Sequence, residues 1–532
     1  NKAGLKNIVK EMFEESTDDI SAKNMAKAVS QTFEMLRKQA NSLGMRIPKL
    51  KKYGLPQIHH QLKLIKAGEF KWVDDLMNGN LLDMERMVDG KTGKPFSKEQ
   101  LRIELHNVYK TITTQGLNKL KSGTSNQGNK SLANQRQEHR FLHFKDADSW
   151  MKYQEKYGDG DSFSVILNHI DSMARDITDL QLFGPNPRTM RSAIETEILK
   201  RASDLDVQNK TGQNSVRATA DIKKARNIFD VHNNSHNIPL DGRMSEFFVG
   251  TRNILRSAQL GGAVLSAIAD VQNMRIASKM TGLSQVKTLS NFFKHALKGL
   301  TTRERTQFGV SLGLVADNWL STAITQTRFF GDTAGPGITA TISDTVMRIT
   351  GLSGWTQSGR QSFGMEFLAH MGKNVTKKFD DIDPVLKKAL ERYGINKDDW
   401  AIISKSELRE GTFVDVKNIN ELGEDKTAIK ILEAIVVETE GAVPSSSYRA
   451  RATLGGGAQA GSIAGEISRS FGMYKNYPVT IYHTHIRRLL GAGRSKNRPG
   501  MFADWFIGVT LMGGLAIQAK QLSQGRDPRN MT

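Results

Sequence analysis

The chain is 532 residues long, beyond the roughly 250–300 residues at which single cores stop growing, so two to four domains are expected. Its 75 Lys and Arg against 55 Asp and Glu leave a formal charge of +20, which points to a polyanionic partner. Cysteine is absent, which excludes disulfides, thiol nucleophiles and cysteine-ligated zinc or iron–sulfur centres.

Only 12 prolines interrupt the chain, and long stretches between them carry helical spacing, so the expected fold is mainly α, extended and multi-lobed, with little β. Ile8, Met12 and Phe13 predict a first amphipathic helix, and Met25, Val29, Phe33 and Leu36 a second. A basic stretch with Lys49, Lys51 and Lys52 then leads into Tyr53-Gly54-Leu55-Pro56, where Gly and Pro predict a hinge. Short helices and turns are expected over residues 57–116, followed by a polar loop at 122–131. Residues 134–182 read as two helices broken at Gly158-Asp159-Gly160-Asp161 and closed by Gly184-Pro185-Asn186-Pro187. A further helix is expected over 190–205.

Beyond residue 240 Gly, Ala, Ser and Thr become frequent. Residues 257–269 and 505–519 carry no charge, yet each run is shorter than the 18 or so apolar residues that span a bilayer. They read either as buried core helices or as interfacial, conditionally inserted ones. Residues 379–430 return to ordinary soluble composition, with Phe413-Val414-Asp415-Val416 as a short strand. The expected domains are therefore 1–52, 53–187, 188–378, a small soluble lobe at 379–440, and 441–532. No period of 20–50 residues and no sustained heptad is present. The absence of a charged-then-apolar leader argues against a secretory signal, and the start at Asn1 suggests processing or a fragment.

Catalytic motifs are weak. His139/His143 and His232/His236 have the i, i+4 spacing of a metal-binding helix face, but Glu138 precedes the first pair rather than following its first histidine, and the second lies in an Asn-rich loop. His169, Asp171, Arg175 and Asp176 read either as a metal cluster or as a buried packing network. Gly90-Lys91-Thr92 lacks the first glycine of a phosphate loop, Glu85 standing in its place. Glu14-Glu15-Ser16 resembles the Glu-Ser of lytic transglycosylases without the glycine-rich segment that follows it there. No catalytic, metal or cofactor residue is assigned. Gly457, Gly461 and Gly465, four apart, are expected to form a flat helix-packing face, with a flexible loop as the alternative. Tyr474, Tyr477 and Tyr482 interleave with Lys475, Arg487 and Arg488, followed by Arg494, Lys496 and Arg498. This stretch reads either as a contact for anionic lipid headgroups or nucleic-acid phosphates or as a solvated positive face.

Five blocks carry a resemblance: Tyr53-Gly54-Leu55-Pro56-Gln57-Ile58-His59, Thr113-Thr114-Gln115-Gly116-Leu117-Asn118, Asn134-Gln135-Arg136-Gln137-Glu138-His139-Arg140-Phe141-Leu142, Asp171-Ser172-Met173-Ala174-Arg175-Asp176 and Phe183-Gly184-Pro185-Asn186-Pro187. They resemble blocks of large internal, or ejection, proteins of tailed bacteriophages and prophages, and residues 441–490 extend the similarity. The resemblance implies a structural protein held in the virion interior and expelled into the host envelope at infection. There it would assemble with copies of itself and with other phage internal, tail or portal proteins into a channel for double-stranded DNA, with host inner-membrane contact. The alternatives are a metal-dependent or peptidoglycan-acting enzyme and a soluble nucleic-acid-binding scaffold.

Overall fold

The computed structural model describes residues 2–50, 54–89, 94–113, 142–158, 161–233, 240, 242–259, 270–297, 352–444, 448–455, 458–472, 475–486, 488–489 and 498–530. The fold is mainly α, as the helical spacing of the apolar residues predicts. The chain divides into two compact units, Asn1–Ala225 and Arg226–Thr532.

The first unit holds α1 (Lys2–Met12), α2 (Ile20–Ser42), α3 (Gln61–Ala67), α4 (Glu69–Asn78), α5 (Lys98–Thr113), α6 (Ala147–Tyr157), α7 (Ser162–Phe183) and α8 (Pro187–Asn209); the unit boundary falls inside α9 (Gln213–His232). Short polar side chains start several of these helices by accepting otherwise unpaired backbone N–H groups: Asp19 from Ala22, Asp146 from Ser149 and Asp161 from Ser164. The block at residues 183–187 is a built corner. Gly184 takes φ +73°, Asn186 caps α8 through Thr189 N–H, and Pro187 occupies the first helical turn, where no backbone donor is needed.

Residues 1–52 do not form a separate domain. Val9, Met12, Val29 and Phe33 of α1 and α2 share one core with Trp72, Leu101, Leu105, Trp150 and Tyr153. Their helical spacing was legible; their partners, far along the chain, were not. At Gly54, where a hinge was expected, the structure shows a close contact: φ is +60°, and a Cβ there would lie 2.6 Å from the Phe13 ring.

The second unit contains α10 (Gly242–Gln259), α11 (Asp270–Thr281), α12 (Gln285–Leu297), α13 (Leu352–Asn374), a 3-10 turn (Phe379–Asp381), α14 (Pro384–Glu391), α15 (Lys397–Lys405), β1 (Leu408–Arg409), β2 (Phe413–Val414), α16 (Val416–Glu421), α17 (Asp425–Ala442), α18 (Tyr448–Gly455), α19 (Ile463–Gly472), α20 (Asn476–Ile481), a π-helical turn (Tyr482–Ile486) and α21 (Arg498–Ser523). The expected lobe at 379–440 is corrected. Leu386, Trp400, Ile403, Ile419 and Ile431 pack into one core with Met274, Phe292, Phe363 and Phe367, so ordinary soluble composition marked a part of the core and not an independent domain. The expected strand at 413–416 stops after Val414, because Asp415 caps α16 by accepting from Lys417 and Asn418 N–H. The β1–β2 hairpin approaches α13 closely at Gly372, where a Cβ would sit 2.0 Å from the Thr412 carbonyl oxygen.

Candidate functional site

Among the described residues, the helix that stands apart by length and apolar composition is α21. It is 26 residues long, about 39 Å at 1.5 Å per residue, and uncharged from Trp505 to Ala519. Among the described residues, Gly500–Ser523 is the one helix long and apolar enough to cross a membrane, and only 11% of its apolar window is buried. The core-helix reading of residues 505–519 is therefore overturned. Phe506, Ile507, Leu511, Leu515, Ile517 and Leu522 are between 45% and 63% exposed. Successive helical residues turn by about 100°, which puts these six on one broad face and Trp505, Met512 and Ala516 on the other.

The packed face is anchored by polar groups of α11. Trp505 Nε1–H donates to Asn273 Oδ1 at 3.2 Å, and Gln272 Nε2–H donates to the Asp504 carbonyl at 3.1 Å. The Asp504 carboxylate pairs with Arg275 and with Lys279 Nζ at 3.4 Å. Approach this close needs Gly508, since a Cβ there would lie 2.2 Å from the Gln272 side chain. Around Trp505 gather Ile276 and Leu489, fully or nearly buried, with Ile486, Met501 and Phe502 against them. The His485 ring stacks beside the indole, 6.3 Å between centroids. Burial pushes the His485 pKa down to about 3; Arg488 adds to this and the Gly441 backbone opposes it.

Of the basic residues expected to meet a polyanion, Lys49 and Lys475 are exposed. Arg498 opens α21. Lys51, Lys52, Arg487, Arg494 and Lys496 lie outside the described residues, as does Gly457. Arg488 is a correction. Its guanidinium donates to both oxygens of the fully buried Glu438, at 2.8 and 3.0 Å, and Arg392 and the Tyr393 hydroxyl serve the same carboxylate. An unpaired carboxylate there would be costly, so Arg488 holds the fold together. The glycine face is also corrected. Gly461 lies in a turn with φ +69°, before α19 begins, and Gly465 packs under the Gln459 carbonyl, 2.0 Å from where a Cβ would stand.

The histidines have structural surroundings. His143 is buried, its backbone N–H donating to Met87 Sδ, and His169 meets Phe33 edge-on at 4.5 Å. His232 meets Tyr448 likewise, while His139 and His236 are outside the described residues. Asp171 pairs with Arg175 at 2.9 Å but is mostly exposed, so this pair is not the expected buried network. Among the described residues no group of three or more His, Asp or Glu is arranged to hold a metal. Glu15 Oε1 accepts from Ala147 N–H at 2.7 Å, holding the start of α6. Sequence reasoning missed the anchor formed by Gln272, Asn273, Arg275 and Asp504. The signal was the isolated Asp504 immediately before an uncharged run. No family model, curated protein or solved structure matches the chain.

Proposed function

We propose that this chain is a structural, non-enzymatic phage internal protein that, once released at infection, contacts the host bilayer through α21 and assembles with other copies into a conduit for viral DNA. The observation that carries the membrane step is the exposed apolar face of α21, with Lys520 in its last turn, Arg526 and Arg529 after it and the cation-rich residues 487–498 before it. Apolar surface of this extent in water favours a bilayer, and flanking cations favour anionic headgroups. The net charge of +20 supports the DNA step through phosphate neutralisation. The phage assignment rests on the sequence blocks.

Flotation of the full chain with phosphatidylcholine/phosphatidylglycerol vesicles at physiological salt tests the reading. The wild type is expected to rise with the vesicles and to form rings or tubes on them by electron microscopy. The Leu511→Asp/Leu515→Asp variant is expected to stay in the soluble fraction, because each aspartate costs about 2.5–3.5 kcal/mol in hydrocarbon. A wild-type chain that remains soluble and monomeric with vesicles present overturns the proposal.

A further inference from the structure

We infer that α10 and α19 form a second lipid-contacting surface, separate from α21, whose occupant is the hydrocarbon of an anionic bilayer. The inference rests on the membrane reading above and names a further contact for it. Its basis is a polarity turned inside out. Arg252 of α10 and Glu466 of α19 are 3% and 0% exposed and form an ion pair of 2.6 Å between the two helices. The second Glu466 oxygen accepts from Gly461 N–H at 2.8 Å, so protein groups serve the carboxylate from two sides.

The outward residues are apolar instead. On α19, Ile463, Ile467 and Phe471 recur every fourth position and are 47–73% exposed. On α10, Phe247 and Ile254 are exposed on a face rotated well away from Arg252. Soluble helix pairs put apolar side chains between the helices and charges outside; helices that meet lipid do the reverse, keeping charged groups paired inside.

The surrounding charge selects the occupant. Apart from Arg488, which is committed to Glu438, residues 441–503 carry eight Lys and Arg and one acidic residue, the buried Glu466. Arg449 and Lys475, on either side of α19 in the chain, are exposed. A surface of isoleucine and phenylalanine in so cationic a segment complements an anionic bilayer, whereas a second copy would bring like charges together.

The natural absence of cysteine gives a direct test. Single cysteines replacing Ile467, Phe471, Thr453 and Leu511 in the full chain are each labelled with a polarity-sensitive fluorophore, with helicity checked by circular dichroism. Each is then mixed with phosphatidylcholine/phosphatidylglycerol vesicles carrying a spin-labelled quencher in the acyl chain. The dyes at 467 and 471 are expected to shift to the blue and to be quenched at least about twofold more than the dye at the exposed, polar position 453, as burial in the acyl region demands. If 511 responds and 467 and 471 behave like 453, the second surface is overturned and the α21 reading stands. If no position responds, both fall. Blue shifts at 467 and 471 that grow with protein concentration in the absence of vesicles identify a second copy as the occupant and overturn the lipid assignment.

Discussion

At the scale of single residues, Glu438 is the most consequential charge in the second unit. It is fully buried, accepts bonds from Arg488 and the Tyr393 hydroxyl, and forms an ion pair with Arg392 at 3.3 Å; the Tyr393 pKa is raised first by burial and then by the Glu438 charge. Glu438→Ala leaves Arg488, 23% exposed, without its carboxylate while Arg392, 43% exposed, stays solvated, so it should cost about 1–3 kcal/mol in urea unfolding. A loss below about 1 kcal/mol would show that water replaces the carboxylate, against this account of the pair. His485 supplies a pH dependence with a definite sign. Its folded pKa, about 3, lies below the ordinary 6.5, so the unfolded chain binds a proton that the folded chain refuses. Its contribution is therefore complete above pH 6.5 and is lost as pH falls toward 3, at up to about 1.4 kcal/mol per pH unit. Many carboxylates titrate in the same window, so the measurement is the difference between wild type and His485→Phe. That difference should move steadily in favour of the variant between pH 7 and 5, and parallel curves would refute the assignment. Neither role was visible in the sequence, where Arg488 and His485 stand in one basic, aromatic stretch. Only burial separates a cation that binds Glu438 from one that faces solvent.

At the scale of elements, the two faces of α21 should respond oppositely to substitution. Trp505→Ala removes a buried indole and its bond to Asn273, and should lower stability in solution by about 3–5 kcal/mol. Leu511→Ser, on the exposed face, should change it by less than about 0.5 kcal/mol while weakening vesicle flotation. Equal thermal shifts for the two variants would mean that the outer face is covered in solution. The uncharged run itself was legible from composition, as were the helices whose apolar residues recur at helical spacing. Which face of α21 is covered was not, because that depends on Gln272, Asn273 and Arg275, more than 200 positions away. The same limit explains residues 379–440. Trp400 and Ile403 are bounded by turns and look self-contained, yet they complete a core with Phe363 and Phe367. Regular glycine spacing misled for a local reason: the positive φ of Gly461 ends any helix through 457, 461 and 465.

At the scale of the whole chain, the proposed function asks the surplus of cations to neutralise phosphates and the exposed apolar faces to hold a membrane. The salt dependence of DNA binding separates the cations that act on phosphate from those that hold the fold. Changing Arg487, Arg494, Lys496 and Arg498 together to Ser should leave the unfolding transition in place. It should also make the slope of log K against log salt shallower by about 0.9 for each phosphate contact removed. Arg488→Ser should do the opposite, lowering the urea midpoint by removing the two bonds that Glu438 accepts from it and leaving the slope of the folded protein unchanged. The measurement is fluorescence anisotropy of a labelled duplex at four or more salt concentrations, on both variants and wild type. An unchanged slope in the fourfold variant would place the DNA contacts elsewhere on the chain. A flattened slope in Arg488→Ser would mean that its guanidinium reaches phosphate in spite of Glu438. The proposed conduit requires that the two sets separate, since a cation committed to a buried carboxylate cannot release counterions from a passing strand.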